Sequence, residues 1–258
     1  MSTIHPTAVI DSAAQLADEV VIGPYCVIGP HVSIGSGTEV LGHAFIDGHI
    51  SLGEGCTVYP FASLGTRTQD KKYAGGEPRV EIGDRTVVRE YVTVNAGTDD
   101  SSLTKVGNDA LLMAYSHVAH NCVVGDHAIL VNAATLAGEV VVEDYATVGA
   151  LTGVHQFTRI GKMSFIGGCS RVTQDVPPFM MGVGNPVEIR GTNAVGLERR
   201  GVTKEVRRDL KRSFKALFRE GLATQAALEK IEAEFGESSE VQHLVSFIRH
   251  SERGIAKS

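Results

Sequence analysis

The stretch Leu112-Met-Ala-Tyr-Ser-His-Val-Ala-His-Asn-Cys-Val-Val-Gly-Asp126 decides the fold. Leu112, Val118 and Val124 stand six residues apart in it, a beat that is neither the 3.6 of a helix nor the 2 of an isolated strand. Extended both ways, the beat places an aliphatic residue at 26 positions: from Ile4 to Leu64, at Ile82, Val88 and Val94, and from Val106 to Val172. The next residue is often glycine, as at Gly23, Gly35, Gly107 and Gly125. A repeat this long settles the architecture before local propensity is consulted. Each hexad reads as a short flat strand with its aliphatic side chain inward, then a turn near which Gly or Asp relaxes the backbone. Three hexads make a coil of 18 residues. Coils stacked about 4.8 Å apart satisfy one another's backbone groups. The expected fold is mainly β, a triangular prism of parallel strands over residues 1–186, with a helical domain over 187–258.

Composition fits that picture. The chain of 258 residues is 43% hydrophobic, rich in glycine and free of tryptophan, which favours many tight corners over a core of large rings. A net charge of −6 argues against a general nucleic-acid binder. Cys26, Cys56, Cys122 and Cys169 form no CxxC pair and read as buried thiols of a reducing compartment. Neither a leader-like N-terminus nor a long apolar run is present, so the expected location is the cytoplasm, with no membrane span.

Two segments break the beat. Residues 66–80 put Asp70 and Gly76 on the aliphatic register, and residues 96–104 put Asp100 there, so both are expected to leave the prism as loops. Long loops on a tightly repeated scaffold are often functional. After Val172 the turn chemistry of Gln174-Asp-Val-Pro-Pro178 ends the prism. From Thr203 the spacing turns helical, with Val206, Leu210, Phe214 and Leu217–Phe218 on one stripe. Thr224 is expected to cap a second helix, and Ser239 with Gln242 reads as a capping box for a third.

Strand alternation turns His117 outward, one residue before the inward Val118, and puts His120 near the corner of the same coil. With His155 two coils onward, these imidazoles are the reactive side chains of the prism. Metal binding is the competing chemistry, and histidines three apart on a strand carry no metal-specific spacing.

At this point a resemblance becomes specific. The 26-beat prism, Gln69-Asp-Lys-Lys-Tyr-Ala-Gly75, His117-Val-Ala-His120, Gly153-Val-His-Gln-Phe157, Gly167-Gly-Cys169, Gln174–Pro178 and Asn193…Leu197-Glu-Arg-Arg-Gly201 resemble the UDP-N-acetylglucosamine 3-O-acyltransferase (LpxA) family over nearly the whole chain. The resemblance implies a left-handed parallel β-helix; the crossover rule alone would give the right hand. It implies acyl transfer from acyl carrier protein to UDP-N-acetylglucosamine in the first step of lipid A biosynthesis. No cofactor is implied, because the donor carries its own phosphopantetheine, and the assembly implied is a homotrimer. His120 matches the general base and the Gly138 N–H the oxyanion donor, one coil above it. Asp70 and Lys72 match positions that reach a neighbouring copy's site. His117, His155 and Gln156 match substrate contacts. Asn193, Arg199 and Arg200 match residues that handle the nucleotide diphosphate or the phosphopantetheine. Gly168 matches the position that limits acyl length.

Residues 199–219 hold nine Lys/Arg against two acids, a face suited to an acidic carrier protein. The pattern departs at Asn121, where the family has Asp, at Glu139, where it often has His, and at Asn95-Ala96 in place of His-Arg. Asn121 and Glu139 are expected to stack beside His120, with Glu139 either supplying the missing charge or selecting a different acceptor such as a 3-amino sugar. The other readings are an LpxD-type N-acyltransferase and a non-catalytic or metal-binding hexapeptide trimer.

Overall fold

The computed structural model describes residues 2–258. Each of the 26 aliphatic positions falls in its own short strand, and these strands, with two more that follow them, collect into three sheets of eleven, nine and eight members. Sheet A contains Leu111–Leu112 and Ile129–Leu130, sheet B contains His117–Val118, and sheet C contains Val123–Val124. The chain visits A, B and C in turn, so every coil has an A/B, a B/C and a C/A corner. Leu112 pairs with Leu130, Val118 with Leu136 and Val124 with Val142, an offset of 18 residues. The offset grows to 30 across the first excursion, where Leu64 pairs with Val94, and to 24 across the second, where Val94 pairs with Val118. Both loops are narrower than expected, because the flanking strands Ser63–Thr66, Arg79–Ile82, Thr93–Asn95 and Leu103–Val106 extend inward from each side.

The glycines have a different job from the one the turn chemistry suggested. Gly35 and Gly107 do not have positive φ; a Cβ on Gly35 would lie 2.5 Å from the Gly53 backbone, and one on Gly107 2.7 Å from the Asp126 nitrogen. They are glycine because the next coil passes so close. The left-handed residue of each corner comes two positions later and is usually not glycine: Tyr25, Tyr115, Asn121 and Glu139 have φ of 57°, 63°, 60° and 61°. That conformation costs an L-residue about 1–2 kcal/mol. Stacking offsets some of the cost along the A/B corner, where Tyr25, His43, Phe61, Tyr91 and Tyr115 form a ladder with centroids 4.8–5.0 Å apart.

The inward aliphatics are fully buried from Ile22 onward, whereas Ile4, in the first coil at the end of the stack, is 47% exposed. Cys26, Cys56 and Cys122 are buried as expected; Cys169 is exposed, because it occupies a left-handed corner rather than an inward position.

The far end of the prism is closed by elements that extend it. Strand Met180–Val183 continues sheet A in parallel with Phe165–Ile166 and then pairs antiparallel with Glu188–Thr192. The expected boundary at residue 186 falls in the turn of this hairpin. Helices α1 (Ala194–Arg199), α2 (Lys204–Phe218), α3 (Thr224–Phe235) and α4 (Ser239–Arg249) follow. Thr203 caps α2 as its position suggests, its hydroxyl accepting from Val206 N. The other two caps shift by one residue: Ala223 precedes α3 without a side-chain bond, and Ser238 caps α4. Leu210, Ile231, Leu244 and Val245 join Ile166 and Val172 in one continuous core. No helix is long and apolar enough to cross a membrane.

Candidate active site

The candidate residues separate into two groups. The first occupies the B/C corner. His120 leaves sheet B just after Val118, and its ring lies over Gly138 in the next coil, where any Cβ would collide with the imidazole. Ala96, one coil below in the register of Val94 with Val118, is equally small. The base thus sits in a slot that the coil spacing and two small residues create.

Both ring nitrogens have neighbours. Asn121 Oδ1 is 3.0 Å from Nδ1, so Nδ1–H donates and Nε2 keeps its lone pair. The Thr98 hydroxyl, from the second excursion, reaches the same Oδ1 at 3.4 Å. On the other side Asp70 Oδ2 lies 3.7 Å from Nε2, and both side chains are largely buried. The first excursion delivers that carboxylate in a preformed turn: Asp70 N donates to Thr68 Oγ1, Lys72 N donates to Asp70 Oδ1, and Arg67 stacks on Tyr73. Asp70 therefore stands beside His120 of its own chain. The Lys72 side chain is exposed and forms no ion pair among the described residues.

His117 points outward from sheet B, with Nδ1 2.7 Å from Thr93 Oγ1. Burial, and then the nearby His120, pull it below the ordinary histidine range, so it is neutral near pH 7. His155 is exposed, and its Nδ1–H donates to the Gln156 carbonyl at 3.0 Å. Gln156 stands one coil above Gly138 on the same corner. The Gly138 N–H donates to no protein acceptor among the described residues, which leaves it free for a ligand.

Glu139 does not pair with His120. Its main-chain N–H donates to the His120 carbonyl, and the residue lines a groove with Phe157, Arg159 and His250. The carboxylate beside the base is that of Asp70, so the expected stacking of Glu139 against the base is corrected.

The second group lies across the prism. A cavity of about 750 Å³ opens between the outer face of sheet A and the start of the helical region, lined by Ile129, Thr147, Phe165, Asn193, Arg199 and Arg200 among others. Asn193 builds it: Oδ1 caps α1 by accepting from Gly196 N at 3.2 Å, and Nδ2 donates to the Met163 carbonyl at 2.9 Å. Arg199 and Arg200 have no carboxylate partner among the described residues. Gly168 is at the exposed A/B corner, where a Cβ would meet Ala150 O at 3.1 Å.

Sequence reading missed Thr93, Thr98 and Tyr145 as parts of these sites. Tyr145 was within reach of the spacing, being one coil above His127.

The comparisons with known proteins agree with this geometry. Residues 175–256 match a family described as UDP N-acetylglucosamine O-acyltransferase, domain 2, and residues 103–138 match the bacterial transferase hexapeptide repeats. Over all 258 residues, and the full length of the relative, the chain is 48% identical to the acyl-[acyl-carrier-protein]–UDP-N-acetylglucosamine O-acyltransferase of Thiobacillus denitrificans. The protein of the same name from Thermodesulfovibrio yellowstonii is 45% identical over the same span. The chain belongs to this O-acyltransferase family. Among solved O-acyltransferases, LpxA from Acinetobacter baumannii superposes with a TM-score of 0.95 at 41% identity, covering 98% of this chain and 99% of that one. The UDP-N-acetylglucosamine acyltransferase of Arabidopsis does so at 0.88 and 33%, covering 98% and 100%. The family membership favours the O-acyltransferase reading over the N-acyltransferase and scaffold alternatives.

Proposed function

We infer that the chain transfers an acyl group from the phosphopantetheine thioester of acyl carrier protein to the 3-hydroxyl of UDP-N-acetylglucosamine, the first step of lipid A biosynthesis. The observation that carries this reading is the His120 slot. With Nδ1 at the Asn121 amide oxygen, the imidazole presents Nε2 as a base for a sugar hydroxyl. As that oxygen attacks the thioester carbonyl, Nε2 takes its proton, and the oxyanion accepts from the free Gly138 N–H. The C–S bond breaks as the carbonyl re-forms, and the imidazolium returns the proton to the departing thiolate. Asp70, near Nε2, stabilises the imidazolium in between. His117, kept neutral, adds no competing positive charge beside it. The chemistry needs no resident cofactor.

The two groups of residues also bear on assembly. In a triangular section the B/C corner is the vertex opposite side A, so the packed core separates His120 from Asn193, Arg199 and Arg200 of the same chain. One substrate can touch both only if side A of a second copy meets the B/C corner of the first. That contact joins unlike surfaces, and such contacts form a ring when their rotation closes. We take the assembly to be a homotrimer with one site per junction. Arg199 and Arg200 then supply cations for the phosphates of nucleotide or phosphopantetheine. His155, Gln156 and Lys72 line the acceptor side, the space above Gly168 receives the acyl tail, and the basic α2 receives the carrier protein.

Mass spectrometry of products from a panel of acyl carrier proteins and UDP-sugars tests the reading. It expects an acyl ester on UDP-N-acetylglucosamine. An amide on a 3-amino sugar with no ester product, or no transfer at all, would overturn it.

A further inference from the structure

Arg200 is exposed at the C-terminal end of α1, and a guanidinium in that setting normally samples many rotamers. Here it does not hang free. Its Cζ lies 4.3 Å above the centre of the Tyr145 ring. The other face of Tyr145 is backed by His127, with centroids 4.5 Å apart and planes within 10°. His127 Nε2 in turn stands 4.0 Å from Asp109, whose carboxylate is gripped by Arg85 at 2.8 Å. The stack runs up the C/A corner in the 18-residue register and ends at the mouth of the sheet A cavity, which Tyr145 and Arg200 both line. Tyr145 has a left-handed backbone, φ 60°, and its hydroxyl makes no hydrogen bond among the described residues. Its ring face is therefore what this position uses.

A guanidinium lying flat on a ring is held by its face alone, and its in-plane N–H groups remain available to an anion. An ion pair with a carboxylate would instead occupy those N–H groups. Arg200 places its Cζ over the Tyr145 ring and has no carboxylate partner among the described residues.

We propose that Tyr145 is a positioning residue that holds Arg200 by its face and so prepares the guanidinium edge to bind a phosphate group. The inference rests on the acyl-transfer reading, in which Arg200 meets a substrate phosphate. The phosphate belongs either to the nucleotide or to the phosphopantetheine arm, and the two are distinguished by probe.

The test is calorimetric titration of the full chain with UDP-N-acetylglucosamine and, separately, with 4′-phosphopantetheine. The variants are Tyr145→Phe, Tyr145→Leu, Arg200→Ala and the Leu/Ala double variant. Leucine suits the site sterically, since Leu151 adopts the same corner conformation at φ 57°. For the probe whose phosphate Arg200 binds, Tyr145→Leu should weaken affinity roughly 3- to 30-fold, the range of a partly desolvated cation–π contact. Tyr145→Phe should stay close to wild type, because the ring face is kept. In turnover, Tyr145→Leu should raise KM and leave kcat near wild type. In the Arg200→Ala background the effect of Tyr145→Leu should vanish, since nothing remains to position. Melting curves show whether each variant is folded. An equal loss in both backgrounds, a loss in the phenylalanine variant or no loss at all would overturn the assignment of Tyr145. A wild-type chain that binds neither probe would overturn the acyl-transfer reading, and this inference with it.

Discussion

The B/C corner around His120 and the cavity on sheet A around Arg200 are made by opposite means. At the corner the repeat does the construction: Ala96, His120, Gly138 and Gln156 follow one another up successive coils, and two excursions bring in Asp70 and Thr98. Its chemistry is that of one imidazole whose nitrogens have separate partners. The cavity exists only because the repeat stops, leaving a hairpin and α1 to overhang the face of sheet A. Its chemistry is fixed positive charge without carboxylate partners. A proton-transfer device and an anion grip on opposite sides of a solid core do little separately. On the proposed function, that difference is what makes the junction between two copies the expected unit of catalysis.

That contrast makes the two regions fail differently. His120→Ala should lower kcat by about 10²–10⁴, the usual cost of a missing general base, with KM and melting temperature nearly unchanged. Retention of more than about a tenth of wild-type kcat would remove His120 as the base. Arg200→Ala should do the reverse, raising KM about 10- to 100-fold through lost charge-assisted bonds while kcat holds. Steady-state kinetics on both variants decides, and a fall in kcat with constant KM for Arg200→Ala would erase the distinction.

A third variant asks what holds the helical region, and so the cavity, in place. Glu143 Oε2 accepts from His243 Nε2 of α4 at 2.7 Å and from Lys162 N at 2.8 Å, and Arg159 approaches Oε1 at 3.5 Å. Burial pushes the Glu143 carboxyl up, but the bonds from His243 and Lys162 and the nearby charges outweigh it and leave it below the usual range. A depressed carboxyl stabilises the fold above its unfolded value, about 4.3, and that contribution is lost as pH falls through the folded value. Glu143→Gln should cost roughly 1–3 kcal/mol at pH 7 and flatten the acid side of the melting-temperature profile below about pH 4.3. An unchanged acid slope would show that Glu143 does not clamp the helices.

The smallest effect is expected at Glu139, whose carboxylate forms no ion pair with His120 among the described residues. Glu139→Gln should leave the acidic limb of kcat/KM where it is. A shift of that limb would return Glu139 to the base and demote Asp70.

Much of this was legible in the sequence because a period of six admits one solution. The 26 aliphatics occupy their own strands, and the 18-residue coil by itself places Gly138 over His120. What escaped depends on geometry that the repeat does not encode. Excursion length says that a loop leaves the prism but not where it returns, so the approach of Asp70 to His120 of its own chain was not legible. Glu139 sits at the right coil, but a left-handed corner sets its direction, and alternation along a strand does not describe that corner. The hairpin Met180–Val183 and Glu188–Thr192 and the short α1 lack any periodic signal, so the cavity they form could be approached only through resemblance.

The central claim, that each site is shared between copies, is tested most directly by mixing two defective chains. His120→Ala and Arg200→Ala chains are each made alone, then co-expressed and purified together through different tags, and acyl transfer is measured at substrate levels where both parents are nearly silent. If the site spans a junction, every doubly tagged mixed trimer contains one junction in three where an intact His120 faces an intact Arg200, so the purified mixture should show about one third of wild-type activity. If both residues serve the same site within one chain, every site in the mixture carries a defect. Activity no higher than that of the two parents would contradict the account.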